Sequence, residues 1–240
     1  PPRSTLFPYT TLFRSKVLQT VHRGLSTLVQ SGLLEQNPES RKYRLGTQVL
    51  ALSTALLRGL DLRQVAREPL VHLSNRLGET VTLAVRSGDE AVFIDRVDGQ
   101  NSVRFYCDIG NRLPLHVGAA AKAILAAEDE KVFEQYLSRI AKQSGIAPVD
   151  LNSIRADISV TKKRNLSFSD NEVDAGVFAV GAAIRNHLNS PIAGVAVATV
   201  ATSPTQARID EITRELLSAV NQISARFGWE EAIAPVSQLA

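Results

Sequence analysis

The sequence contains no methionine and only one cysteine, Cys107. A single cysteine excludes an intramolecular disulfide framework and any Cys-rich zinc module, and it fits a reducing, cytoplasmic setting. Aromatics make up 5% of the 240 residues, so the core must be aliphatic. No apolar run approaches the ~20 residues that span a bilayer and no secretory pattern is present, so no membrane partner is expected. The absence of methionine, position 1 included, points to a piece of a longer reading frame. What remains is 44% hydrophobic and 21% charged, the balance of a globular protein with one large domain or two ordinary ones.

The net charge of +3 is unevenly distributed. Residues 1–60 carry 8 Lys/Arg against 2 Asp/Glu, and residues 61–240 carry 19 against 22. A basic head on a slightly acidic body points to a nucleic-acid contact in the head. Within that head, Ser4-Thr5-Leu6-Phe7 is nearly repeated as Thr11-Leu12-Phe13 around Pro8-Tyr9, with no helical or strand period. This stretch is similar to translated adapter sequence. Residues 1–15 are therefore set apart as non-native, a disordered native arm being the alternative.

From Val17 to Val29 apolar residues recur in steps of three and four (Val17, Leu18, Val21, Leu25, Leu28, Val29), which predicts a helix stopped by Gly32. Leu33–Gln36, a polar turn at Asn37–Ser40 and the basic Arg41–Leu45 predict a hairpin. A helix followed by a basic hairpin is the second half of a winged helix-turn-helix, whose recognition helix enters the major groove while basic residues grip phosphates. Two earlier helices are expected in such a module, and residues 1–15 stand in their place, so the head reads as truncated. The expected contacts are Thr20 and His22 to bases, and Arg23, Arg41, Lys42 and Arg44 to phosphates, with Ser15 and Lys16 at the start of the helix.

Downstream, the patterns predict an apolar connector helix over Gln48–Leu60 and a helix from Asp61 to Gly78 with Pro69 marking a kink or a late start. Strands are predicted over Thr80–Arg86, Ala91–Val97 and Val103–Asp108, and helices over Gly118–Ala127, Asp129–Ile140 and Asp150–Asn165. Two further strands follow at Gly176–Arg185 and Pro191–Thr199, and then a final helix opened by Ser203-Pro204. This is an α+β order, an antiparallel sheet flanked by helices. The basic run Lys162-Lys163-Arg164 reads as a solvated helix end.

Two stretches resemble the IclR family of bacterial transcriptional regulators. One is Thr20–Val29 with Gly32-Leu33-Leu34 and Tyr43-Arg44-Leu45-Gly46. The other is Gly110–Ala126, containing Gly118-Ala119-Ala120-Ala121-Lys122. The resemblance spans about Val17 to Phe227. It implies a winged helix-turn-helix over 16–46, a linker over 47–60 and a GAF-like effector domain over 61–240, assembled as a homodimer or tetramer on a double-stranded DNA operator. It also implies an effector pocket formed by Phe105, Leu113, Ala119, Ala120, Ser169, Val177, Ala179, Ala196 and Ala198. Three small side chains at the start of a helix leave backbone amides accessible to an anion, and the apolar lining favours a carboxylate with an aromatic or aliphatic body over glyoxylate or pyruvate. Each of these alanines can equally serve close helix–sheet packing.

No enzyme and no cofactor is expected. The histidines His22, His72, His116 and His187 have no metal-ligand spacing. His116 is expected to bond backbone at the sheet-to-helix turn, and Cys107 to be a buried small hydrophobe. The alternatives are a ligand-binding module without competent DNA binding, and an enzyme on the same scaffold.

Overall fold

The computed structural model describes residues 9–52, 61–100, 107–142, 150–200 and 204–230, with side chains from Gln19 onward. Two compact units are present, Pro1–Asp61 and Leu62–Ala240.

In the first unit, α1 (Tyr9–Gln30) leads to a hairpin of β1 (Leu34–Gln36) and β2 (Tyr43–Leu45), and residues 48–52 form a short helical turn. The helix starts at Tyr9, well before Val17, so the latter part of the segment set apart as irregular is helical. No proline or glycine interrupts Tyr9–Arg23, and a helix needs no apolar stripe to extend backward to Pro8. It ends as the sequence predicts. Gly32 takes φ 73°, its amide donates to Val29 O and the Leu33 amide to Leu28 O, a Schellman cap. In the hairpin turn the Asn37 side chain accepts from the Glu39 and Ser40 amides. The apolar residues of this unit stay largely uncovered: Val21 is 53% exposed, Leu45 72% and Leu50 71%. Residues 53–60, the rest of the expected connector, lie outside the described residues.

The second unit runs α2 (Leu62–Leu77), β3 (Thr80–Ser87), β4 (Glu90–Val97), β5 (Arg112–Pro114), α3 (Ala119–Ala127), α4 (Glu130–Ile140), α5 (Leu151–Arg164), β6 (Ser167–Asp170), β7 (Val177–Arg185), β8 (Pro191–Val200) and α6 (Gln206–Arg226). The strands form one antiparallel sheet in the order β5-β4-β3-β8-β7-β6. Pro69 sits buried inside α2, which nevertheless starts at Leu62. The strand expected over Val103–Asp108 is not found at Cys107 and Asp108, and residues 103–106 lie outside the described residues. The edge is taken instead by β5, too short to show a period. β6, four residues long, escapes the sequence reading for the same reason. α6 is capped by Thr205, whose Oγ1 accepts from the Arg208 amide, and not by Ser203.

The two faces of the sheet differ in side-chain size. Val81 and Leu83 pair in register with Val197 and Val195, and Val180 and Ala182 continue the same face. This face is covered by α2 and α6, through Leu70, Ile212, Leu216 and Ile223. The alternate residues, Ala84, Gly181, Gly194 and Ala196, face α3. A Cβ on Gly181 would stand 2.5 Å from Ala119 O, and one on Gly194 2.2 Å from Ala120 O. The glycines therefore let the helix backbone rest directly on β7 and β8, and Ser167 Oγ fixes it by donating to Ala119 O at 2.6 Å.

Candidate effector-binding site

This close approach places the first turn of α3 at the centre of the sheet. The first-turn amides of a helix have no intrahelical acceptor. One amide at this end is already taken: Gly118 N–H donates to Glu172 Oε2 at 3.0 Å, so the amides are not all bare. The other oxygen of Glu172 accepts from Lys122 Nζ at 2.6 Å, and Asp157 Oδ2 on α5 accepts from the same ammonium at 2.8 Å. The Lys122 side chain is 2% exposed. One buried cation thus ties α3 to α5 and to the β6–β7 loop.

Beside this latch lies a cavity of about 40 Å³, room for about three waters. Leu113, Ala119, Ala120, Ser169, Val177, Ala179, Ala196 and Ala198 all line it. Phe105, the remaining pocket residue of the sequence reading, lies outside the described residues. Five further lining side chains are missing from that reading: Thr82, Phe93, Cys107, Val173 and Asp174. Thr82 was accessible through strand alternation, since it pairs with Ala196 on the same sheet face. Val173 and Asp174 sit in the β6–β7 loop, which has no period to read.

Burial holds three groups of this region, Cys107, Tyr136 and His116, in their neutral forms. Burial, with Asp174 adding to it, pushes the Cys107 thiol up to about 12. Burial likewise lifts the Tyr136 phenol to about 12, and it holds His116 below the usual imidazole range against the pull of Glu172. His116 Nδ1 meets the Tyr136 hydroxyl at 2.5 Å, so its partner is this side chain, not the backbone expected at the turn. A thiol at about 12 is no nucleophile at neutral pH. Among the described residues no cluster of three or more His, Cys, Asp or Glu could hold a metal, and no helix is long and apolar enough to cross a membrane.

In the first unit His22 and Arg23 are exposed on α1, as is Thr20, and Ser15 and Lys16 belong to the same helix ahead of the first described side chain. Arg41 (φ 55°) and Lys42 project from the hairpin turn. Arg44 lies directly opposite Glu35 across the hairpin and is ion-paired to it at 2.6 Å, so part of its guanidinium is already committed.

An antiparallel sheet whose helix-covered face encloses a small apolar cavity at a helix start is the architecture of a ligand-binding regulatory domain. Residues 54–225 match the C-terminal domain of the bacterial transcriptional regulator IclR. The HTH-type transcriptional regulator KipR of Bacillus subtilis is 30% identical over 213 residues, 88% of this chain and 84% of KipR. The transcriptional repressor IclR of Escherichia coli is 28% identical over 216 residues, 87% of this chain and 78% of the repressor. The crystal structure of Thermotoga maritima IclR superposes with a TM-score of 0.65 at 27% identity, covering 88% and 86% of the two chains. An IclR homolog from Microbacterium hydrocarbonoxydans, solved with 4-hydroxybenzoate, shares the fold at a TM-score of 0.60 and 23% identity, covering 88% and 85%. The chain belongs to the IclR family of bacterial transcriptional regulators. Its C-terminal unit is the family's effector domain, and its relatives are transcription regulators rather than enzymes.

Proposed function

We propose that this chain is an effector-responsive, DNA-binding regulator that senses a small organic acid and controls a catabolic operon. The supporting observation is the convergence of Leu113, Ala119, Ala120, Ser169, Val177, Ala179, Ala196 and Ala198 on one apolar cavity at the start of α3. A carboxylate directed at the Ala119 and Ala120 amides gains the helix-end field. Phe93, Leu113 and Val177 enclose an apolar body, and the Thr82 and Ser169 hydroxyls orient its polar substituents. The 4-hydroxybenzoate complex of the Microbacterium homolog supports an aromatic acid as one such body. The cavity must widen to admit it, and the β6–β7 loop, which contributes Val173 and Asp174 to the lining, is the wall that shifts. The ligand leaves unchanged: His116 and Tyr136 are not among the residues that line the cavity, and the Cys107 thiol, which is, stays protonated at neutral pH.

Residues 16–46 serve as the winged helix-turn-helix, with Thr20 and His22 toward bases and Arg23, Arg41 and Lys42 toward phosphates. Residues 47–60 link it to the effector domain over 61–240, and residues 1–15 are a foreign segment ahead of both. A homodimer or tetramer covers the exposed Leu45, Leu50 and Leu52. A second reading, a ligand-binding module without competent DNA binding, is favoured by the exposure of Val21 and Leu28 on α1, which leaves the recognition helix without supporting helices among the described residues.

Calorimetry on the full chain tests the ligand assignment. Benzoate-type acids are expected to bind, glyoxylate and pyruvate to bind at least tenfold more weakly, and Ala119→Leu to abolish binding while the chain still folds, at an overpacking cost of about 1–3 kcal/mol. Tight glyoxylate binding without benzoate binding overturns the apolar reading. Unchanged binding by Ala119→Leu moves the pocket elsewhere.

A further inference from the structure

A second and much larger cavity, about 710 Å³, opens at the other end of α3, between that helix and α6. Its origin lies in the sheet. β6 pairs only with Phe178–Gly181, so among the described residues no strand lies beside the outer edge of β7 from Ala182 to Arg185. Ala123, Ala126 and Ala183 are too small to fill the gap between the two helical layers.

Two arginines reach this groove, Arg185 from the end of β7 and Arg164 from the last turn of α5. Their situation is unlike that of the other arginines. Every other arginine described in this unit is ion-paired to a carboxylate. Arg164 and Arg185 have no carboxylate partner among the described residues, although Glu230 lies on the rim. Arg185 is half-buried, and its Nη1 donates only to backbone, to Asn189 O at 2.8 Å and Ala127 O at 3.3 Å. Those bonds orient the guanidinium and leave Nε and Nη2 without an acceptor among the described residues. Burial holds its pKa below the usual guanidinium value, with no neighbouring acid to offset the loss of water.

We propose that this groove is an anion-binding site, separate from the effector cavity, for a small oxyanion carried on a phosphate or a dicarboxylate. The Arg185 fork supplies two parallel donors matched to such an oxyanion, Arg164 supplies the second positive charge, and the Asn221 carboxamide lines the opposite wall. The site does not depend on the identity of the effector, because the two cavities share no lining residue, although α3 and β7 border both. Ala119 and Ala120 line one cavity, and Ala123, Ala126 and Ala127 the other.

The groove carries its own reporter. Trp229, the only tryptophan in the sequence, forms part of its wall, with Nε1 donating to Asn189 Oδ1 at 3.1 Å. Tryptophan fluorescence of the full chain is titrated with sodium phosphate and with sodium succinate, and with sodium chloride at matched ionic strength. A saturable change with phosphate or succinate and none with chloride is expected, and the more effective of the two identifies the oxyanion. Arg185→Gln is expected to abolish the change and Arg164→Ala to weaken it at least tenfold. Circular dichroism checks that each variant is folded. Arg164 is exposed, so its variant decides the matter even where Arg185→Gln does not fold. The proposal is overturned by the absence of a saturable signal with either anion, or by an Arg164→Ala titration that matches the parent.

Discussion

Replacing Lys122 by Met keeps the length and the apolar stem of the side chain but deletes the one cation that Glu172 and Asp157 share. The stem is fully buried, so methionine fills the same space and no cavity term arises. Breaking a fully buried ion pair from one side costs about 3–5 kcal/mol, chiefly through the charge left behind. Here the partners are not fully buried: the Asp157 side chain is 45% exposed and that of Glu172 33%. Both can turn toward water, so about half of that cost, ~2 kcal/mol, is expected. For a unit of this size the melting midpoint falls by about 4–8 °C. Urea unfolding at pH 7 measures the loss. Hydrogen exchange locates it, since the Gly118 amide and the β6–β7 loop should lose protection before the sheet does. A cycle with Glu172→Gln separates the pair from mere side-chain size, with a coupling of about 1 kcal/mol or more expected. A loss below about 0.5 kcal/mol, or no coupling to Glu172, would falsify the assignment of this lysine as the tie between α3 and the loop.

Gly194→Ala is expected to cost about 3 kcal/mol or more in urea unfolding, because its Cβ meets the Ala120 carbonyl, backbone that cannot rotate away; a neutral variant would show that α3 does not rest on β8. Below pH 7 stability is expected to fall as His116 is forced to charge: its folded pKa is lowered by burial, so the unfolded chain binds the proton first, and the loss accumulates from about pH 6.5 downward. His116→Gln should flatten that limb of the stability–pH curve, and an unchanged limb assigns it to other groups. Cys107 is expected to react with a disulfide reagent at pH 8 at least about 100-fold slower than a free thiol, since its thiol stays protonated up to about 12; rapid labelling of the folded chain would contradict this. Arg41→Ala is expected to weaken binding to all DNA sequences alike and to lower the salt slope by about one, whereas a loss confined to one sequence would make it a base-reading residue.

The elements legible in the sequence are those long enough to show a period or a cap. Asp150 caps α5 through the Asn152 and Ser153 amides, and Gly78 (φ 73°) follows α2 as the pattern requires. β5 and β6 span three and four residues, too few for a hydrophobic alternation to stand out, so only their neighbours reveal them. The resemblance supplied nine positions that periodicity alone could not rank, and eight of them meet around one cavity. The Lys122–Glu172–Asp157 latch was not readable at all. Its members are separated by 35 and 50 residues, and no local rule pairs a helix lysine with a carboxylate in a distant loop.

The alanines show why packing and pocket could not be separated before the register was known. On the face toward α3, the residues that touch the helix backbone are glycines, Gly181 and Gly194. Ala196 pairs with Gly181, and Ala198 pairs with Ala179, one alternation further along the same face. Moving from Gly194 to Ala198 along β8, the strand passes from direct contact with the helix to the wall of a cavity. The same small side chains therefore do different things within five residues: glycine where the helix backbone must touch, alanine where it has lifted away. The sequence records both as small, and only their distance from Ala119 and Ala120 tells them apart. The far end of α3 repeats the arrangement at larger scale, because Ala123, Ala126 and Ala127 face a sheet edge that β6 leaves open. A single alanine-rich helix thus borders both cavities, and the residues that distinguish them are the charged ones at each end: Lys122 is paired with both Glu172 and Asp157 at the first, whereas Arg164 and Arg185 at the second have no carboxylate partner among the described residues.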